Sequence, residues 1–435
     1  MSIIIAFYQR GIPCHGTSVN EKPLGGTESA MIYTARSLAR RGHHVFVFNE
    51  ADQEGEYDGV TYRHWKHFEA FSKKETIDVF ISIRDLLPLL VRRWAPVQIY
   101  FSPDAFDQPF VNRSLMIQFH DGNKDYEMGL YSLAFVQNHC DAIFCVGNWQ
   151  AETFIHRFRI PPQKIRVTPN GVDLSLFPEM SVTRQRAKQI VYCSTPFRGL
   201  EFLLRYFPKI RERVSDATCV VMSGMQIYGM SDEEDRTHYQ KLYELARQPG
   251  VILQGPLAKP AMAKVLMESR VLAYPNTFAE TFCIAALEAQ AAGLPVVTTA
   301  LAGLKERVAD GRDGFLIEGR PGEKKYEEEF VSSVVRLLKE DPLWETQSQF
   351  SRSKAEPFSY DLLAETWERN LVLLLEENKE LGRREDLFVP TDQSCDVLVQ
   401  GYPQRIHLSA DLIRRYLAQS LLELGFNDCA TKIRS

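Results

Sequence analysis

Short runs rich in Ile, Val and Phe alternate along most of this chain with stretches in which apolar side chains return every three or four positions. That alternation restricts the fold more than any other feature. A buried strand followed by an amphipathic crossover helix returns to pair in parallel with its neighbour, so the pattern predicts an α/β fold with parallel sheets covered by helices. Strands are predicted at Ile3–Tyr8, Val45–Asn49, Val79–Ile83, Gln98–Phe101 and Ala142–Val146. Between the first two, Ala30, Tyr33, Thr34, Ser37 and Leu38 share one helical face, and Gly42 supplies the stop.

A second series starts at Ile190. Strands Ile190–Tyr192, Thr218–Ser223, Val251–Gln254, Val271–Tyr274 and Pro295–Thr298 alternate with helices over Leu200–Arg213, Asp235–Arg247, Ala261–Ser269 and Cys283–Ala292. At 435 residues the chain has room for two or three domains. The organisation expected is a doubly wound domain over 1–175, a polar linker over 176–189, and a second doubly wound domain over 190–360. An amphipathic helix over 361–380 and a tail over 381–435 follow. The segments Ala51–Ser72 and Phe106–Asp125 read as irregular and aromatic-rich. Ligands of such sheets bind beyond the carboxyl ends of the strands, so the cleft between the two domains is the natural site.

Several classes of function are excluded or disfavoured. The balance of 51 Lys plus Arg against 56 Asp plus Glu, a net charge of −5, lacks the basic footprint of a nucleic-acid binder. No apolar run approaches the roughly 20 residues that span a bilayer, and MSIIIAFYQR lacks the features of a secretory signal, so a cytoplasmic location is expected. The eight cysteines show no CxxC and no zinc-type spacing, which favours reduced, passive thiols. GxGxxG, GxxxxGK[ST], GxSxG and HExxH are all missing.

Three segments carry the chemistry. Pro23–Ser29 contains Gly25 and Gly26 ahead of the first long helix, where backbone amides suit an anionic oxygen; a loop needing permissive glycines reads the same way. In FAETFCIAALEAQAAGLPVV, Glu288 lies inside an alanine-rich helix. A buried carboxylate there requires either a polar ligand or an Arg or Lys partner. Thr168–Asp173, which contains Asn170–Gly171, reads as a turn at the end of the first domain.

Together, GGTE, RRGHHVFVF, PNGVDLSLF and the Glu280-x7-Glu288 pair followed by AGLKERVADGRDGFLIEG resemble glycosyltransferase family 4 over residues 1 to about 380. The resemblance implies the GT-B architecture, two Rossmann-like domains facing each other across a cleft. It further implies retaining, metal-independent transfer from a nucleoside diphosphate sugar, most simply a UDP-sugar, to an acceptor hydroxyl of a glycan, a lipid-linked carrier or a small molecule. No cofactor is expected. Carried over by position, Glu280 contacts the transferred sugar and Arg198 neutralises the leaving diphosphate. Gly25, Gly26, Thr281 and the backbone amides of Phe282, Cys283 and Ile284 approach the phosphates, and Glu288 accepts from the ribose.

Two positions depart from the pattern. Cys193 stands where the family places a first basic residue five positions before the second, and Pro103–Asp104 stands where it places His-Asp. Asp104 and the displaced His120 are the candidate sugar contacts. These departures keep open an inactive nucleotide-sugar-binding subunit; the shared fold leaves a nucleotide-sugar epimerase as the other alternative, though one not expected to carry the NGVD and E-x7-E combination. The clusters Arg40–Arg41, Arg92–Trp94 and His156–Arg159 allow peripheral contact with an anionic membrane, and apolar positions from Leu408 to Leu421 predict a docking or oligomerising helix in the tail.

Overall fold

The computed structural model describes residues 2–86, 88–89, 92–103, 139–158, 160–178 and 186–379, the backbone of 116–121, 124–129, 395–398 and 405–408, and single positions between 415 and 431. Two sheets dominate. The first has eight strands in the spatial order Ile165–Val167, Ala142–Cys145, Val97–Ser102, Val79–Ile83, Ile4–Tyr8, His44–Asn49, Val60–His64 and Gly55–Tyr57. All its pairings are parallel except the edge pair 55–57 with 60–64. The second has six parallel strands, ordered Val251–Leu253, Thr218–Val221, Gln189–Tyr192, Val271–Tyr274, Val296–Thr299 and Gly314–Ile317.

Both sheets reverse direction once, and this fixes where a ligand sits. In the first sheet the strand order turns back between Ile4–Tyr8 and Val79–Ile83, and in the second between Gln189–Tyr192 and Val271–Tyr274. At such a switch point the loops after adjacent strands splay to opposite faces and leave a crevice.

The first sheet buries both faces, as period-2 alternation requires. Ile5 and Phe7 point one way, Ala6 and Tyr8 the other. The first face is covered in part by the helix Tyr360–Glu377, which returns from the second domain and sets Trp367 against Phe7, Phe101 and Phe144, with ring centroids 6.3, 5.1 and 4.9 Å away. The opposite face holds Phe68, Phe80 and Trp94, and Phe426 of the tail packs there, 6.0 Å from Tyr8 and 5.7 Å from Trp94. Ala418, Cys429 and Ala430 join Phe426 in the same cluster.

Some expectations are corrected. The stretch 51–72 is not irregular: it forms the two edge strands and the helix Phe68–Lys74. The expected helix over Asp235–Arg247 is two helices, Asp232–His238 and Gln240–Leu245, the first opened by a capping box of Ser231 and Glu234. In the tail, Arg405–Leu408 is a strand paired with Cys395–Leu398, so the helical reading does not extend to Leu408. Two of the basic clusters form ion pairs within the chain. Arg93 meets Asp141 at 2.5 Å, and Arg41 pairs with Glu368 of the returning helix. No helix among the described residues is long and apolar enough to cross a membrane.

Candidate functional site

The two switch points face each other, and between them lies a cavity of about 270 Å³. Gly11 and Arg84 follow the two switch-point strands of the first sheet, and Cys193–Thr195 with Arg198, and Phe278–Glu280, follow those of the second. Gly25 and Gly26 enter from the first domain. Gly25 precedes the helix Gly26–Arg40, and a Cβ on Gly26 would stand 3.3 Å from Ile284 Cδ1 of the second domain. Two positive-φ residues that are not glycine, Arg84 and Cys283, also line the cavity. Backbone in that region is strained for a residue with a Cβ and gathers at ligand sites.

Arg198 stands at the centre. Its loop lies against residues 275–276 because Gly199, at φ 118°, has no Cβ; one placed there would stand 2.1 Å from the Pro275 carbonyl oxygen. Arg198 donates to Glu280 Oε1 at 3.0 Å and to the Tyr228 hydroxyl at 3.1 Å, and its guanidinium lies over the Phe278 ring, 4.2 Å from the centroid. The Tyr274 hydroxyl donates to the same Glu280 oxygen at 2.7 Å. Burial works against the charge on Arg198, but Glu280 with the Tyr274 and Tyr228 hydroxyls more than offsets it and raises its pKa. Arg198 is thus a fixed cation held against Glu280. Among the described residues Arg198 Nε and Thr195 Oγ1 are buried without hydrogen-bond partners, and both residues line the cavity. Buried orphan donors of this kind mark a place for an acceptor.

The second glutamate is engaged differently. Glu288 lies in the helix Ile284–Ala291 and takes Lys259 Nζ on Oε1 at 2.5 Å. Of the two partners left open for this buried carboxylate, the structure supplies a lysine. Cys193 lies nearby with its thiol pushed up to about 12, chiefly by burial and further by Glu288, with Lys259 opposing; it is neutral at pH 7. Cys283 is the N-cap, in left-handed geometry, so the helix begins at Ile284 rather than at Cys283. Thr281 turns its hydroxyl to the Pro103 carbonyl at 3.2 Å, which links the two domains. Asp104 lies outside the described residues. His120 lies in the strand Met116–Asp121, with its side chain outside them. Among the described residues no group of three or more His, Cys, Asp or Glu side chains is placed to hold a metal ion.

Glu306, from the second domain, bonds across to the first. It accepts from Asn148 N at 2.9 Å, from Asn148 Nδ2 at 3.2 Å and from Trp149 N, capping the first-domain helix Asn148–Phe158. Loss of an N-terminal cap costs about 1 kcal/mol. Glu306→Ala is therefore expected to lower the stability of the two-domain unit by about that much in urea titration; an unchanged midpoint would show that the cap contributes nothing across the interface.

With this geometry in hand, the family can be assigned. The family model described as Glycosyltransferase Family 4 matches residues 24–176, and that described as Glycosyl transferases group 1 matches residues 187–340. The chain belongs to glycosyltransferase family 4. A D-inositol 3-phosphate glycosyltransferase of Stackebrandtia nassauensis is 29% identical over 216 residues, 46% of this chain and 47% of that one. The chain thus matches about half the length of that relative. Spore coat protein SA of Bacillus subtilis is 25% identical over 382 residues, 82% of this chain and 96% of that one. Among solved structures, sucrose-phosphate synthase from Thermosynechococcus elongatus superposes with a TM-score of 0.65 at 15% identity, covering 86% of this chain and all of the other. Anabaena HepE in complex with UDP-glucose does so at 0.61 and 16%, covering 85% of this chain and all of the other. These solved neighbours share the two-domain GT-B fold.

The resemblance pointed to Arg198, Glu280 and Glu288, and the structure brings all three to one cavity. Sequence reasoning missed Lys259, Tyr228 and Tyr274. A signal for Lys259 existed: it precedes Pro260 and so opens a helix, Lys259–Glu268, where the helix dipole disfavours a cation.

Proposed function

We propose that this protein is a retaining, metal-independent glycosyltransferase that moves a sugar from a nucleoside diphosphate sugar, of UDP type, to an acceptor hydroxyl. The observation that carries the reading is the fixed Arg198–Glu280 pair at the switch point, with Arg198 Nε and Thr195 Oγ1 left as unpartnered donors. The helix N-terminus at Ile284 adds amides that favour the same anion. In this reading the acceptor oxygen bonds to the anomeric carbon as the bond from that carbon to the phosphate oxygen breaks. The departing oxygen takes the acceptor's proton, so no separate general base is needed. Negative charge grows on the diphosphate, and Arg198 with the helix amides is positioned to meet it before it forms. Glu280 Oε2, without a partner among the described residues, is left for a sugar hydroxyl.

The test is the stereochemistry of donor cleavage. NMR of the first sugar released from UDP-glucose, GDP-mannose or another sugar nucleotide, in EDTA, is expected to show the donor's own anomeric configuration. Inversion, or activity that returns only on adding Mg²⁺ or Mn²⁺, overturns the corresponding part of the reading. Nucleotide-sugar binding without turnover assigns the chain instead to a binding subunit.

A further inference from the structure

Lys259 is a buried cation in the cavity with one protein partner and two N–H groups to spare. Its ammonium donates once, to Glu288 Oε1 at 2.5 Å, and Glu288 Oε2 has no partner among the described residues. Lys259 and Cys193 line the same cavity. Cys193, directly after the switch-point strand Gln189–Tyr192, puts a short neutral side chain on the cavity wall. Glu288 alone does not account for burying an ammonium at a helix N-terminus, since desolvating both ions consumes much of what their attraction returns.

A charge count points the same way. The acids lining the cavity are Glu28, Glu280 and Glu288, and the bases are Arg84, Arg198 and Lys259, three of each. A diphosphate entering this cavity adds about two negative charges. Arg198 already pairs with Glu280, so a second cation on the same cavity adds to what holds that charge.

We infer that Lys259 is a donor-binding residue for the diphosphate, the second cation of the site, reaching into the cavity from beside Glu288. This rests on the nucleoside diphosphate reading above. In this role Lys259 does two things at once. It holds Glu288 in place as an acceptor for ribose hydroxyls, and it turns its remaining N–H groups to the adjoining phosphate. The ribose and the phosphate are thereby recognised by one linked pair, so a ligand carrying both gains more than the separate parts.

The experiment measures binding by calorimetry, for wild type and variants, of UDP, GDP and ADP and of uridine, guanosine and adenosine. Lys259→Met is expected to weaken the preferred diphosphate about 10- to 100-fold, the range for a lost charged hydrogen bond, and its nucleoside by a clearly smaller factor, because only the diphosphate loses a direct contact. Lys259→Arg is expected to stay within about 5-fold of wild type for both. Adding Cys193→Arg to Lys259→Met is expected to recover most of the diphosphate affinity, because Cys193 lines the same cavity and a guanidinium there restores a cation to it. Equal losses for diphosphate and nucleoside would overturn the inference and reduce Lys259 to a support for Glu288. Unchanged binding in Lys259→Met would overturn it outright. Wild-type protein that binds none of the three diphosphates would overturn the donor-site reading itself, a result the wild-type titration alone reveals.

Discussion

Arg198→Ala is expected to lower kcat about 10²- to 10³-fold, the usual cost of removing one fixed donor from a developing negative charge. Donor KM is expected to change far less, because an interaction that strengthens as the glycosidic bond breaks acts on turnover rather than on ground-state binding. The geometry makes Arg198 hard to replace. Its position is set by Glu280, Tyr228 and the Phe278 ring, and its charge is maintained against burial by the Glu280 carboxylate. Arg198→Lys keeps the charge but loses the fork that meets Glu280 and a phosphate together, and is expected to fall between the two. Steady-state kinetics across donor concentrations, on variants with wild-type circular dichroism, checks this. An Arg198→Ala enzyme with unchanged kcat would remove Arg198 from the chemistry.

Trp367→Ala is expected to destabilise the protein by about 3–5 kcal/mol, the range for deleting a large buried aromatic side chain. The indole is 2% exposed and touches the Phe7, Phe101 and Phe144 rings, one from each of three strands of the first sheet. No neighbour is positioned to fill the cavity, because the facing side is a rigid sheet. Urea titration with a first-domain probe is the measurement. A loss below about 1 kcal/mol would mean that the returning helix is only loosely attached.

Strand-level organisation was legible because a doubly wound sheet is buried on both faces, so its strands read as apolar runs. Val79–Ile83 and Val271–Tyr274 fall where the runs predict them. What escaped was short or at an edge. Gly55–Tyr57 and Val60–His64 alternate polar with apolar residues and carry aspartate and glycine between them, so they pass for a loop. Glu288 was legible as a buried carboxylate in an alanine-rich helix, but its partner was not. Lys259 lies 29 positions away on another helix, and periodicity within one element carries no information about a contact between two. The crossing of Thr281 to Pro103, and the capping of Asn148 by Glu306, are of the same kind: they exist only once two sheets have been brought face to face.

The first sheet is covered on one side by Trp367 and on the other by Phe426, residues that lie beyond the whole of the second domain in the chain. During synthesis this reverses the customary order of maturation, in which the domain nearest the amino terminus is finished first. When the first half leaves the ribosome, Phe7, Phe101 and Phe144 have no indole to meet, and Tyr8 and Trp94 lack the ring that closes their side. The second sheet, by contrast, draws its strands from 189–317 and is complete in itself. The second sheet can therefore reach its final form while the first still waits for Trp367 and Phe426 to cover it.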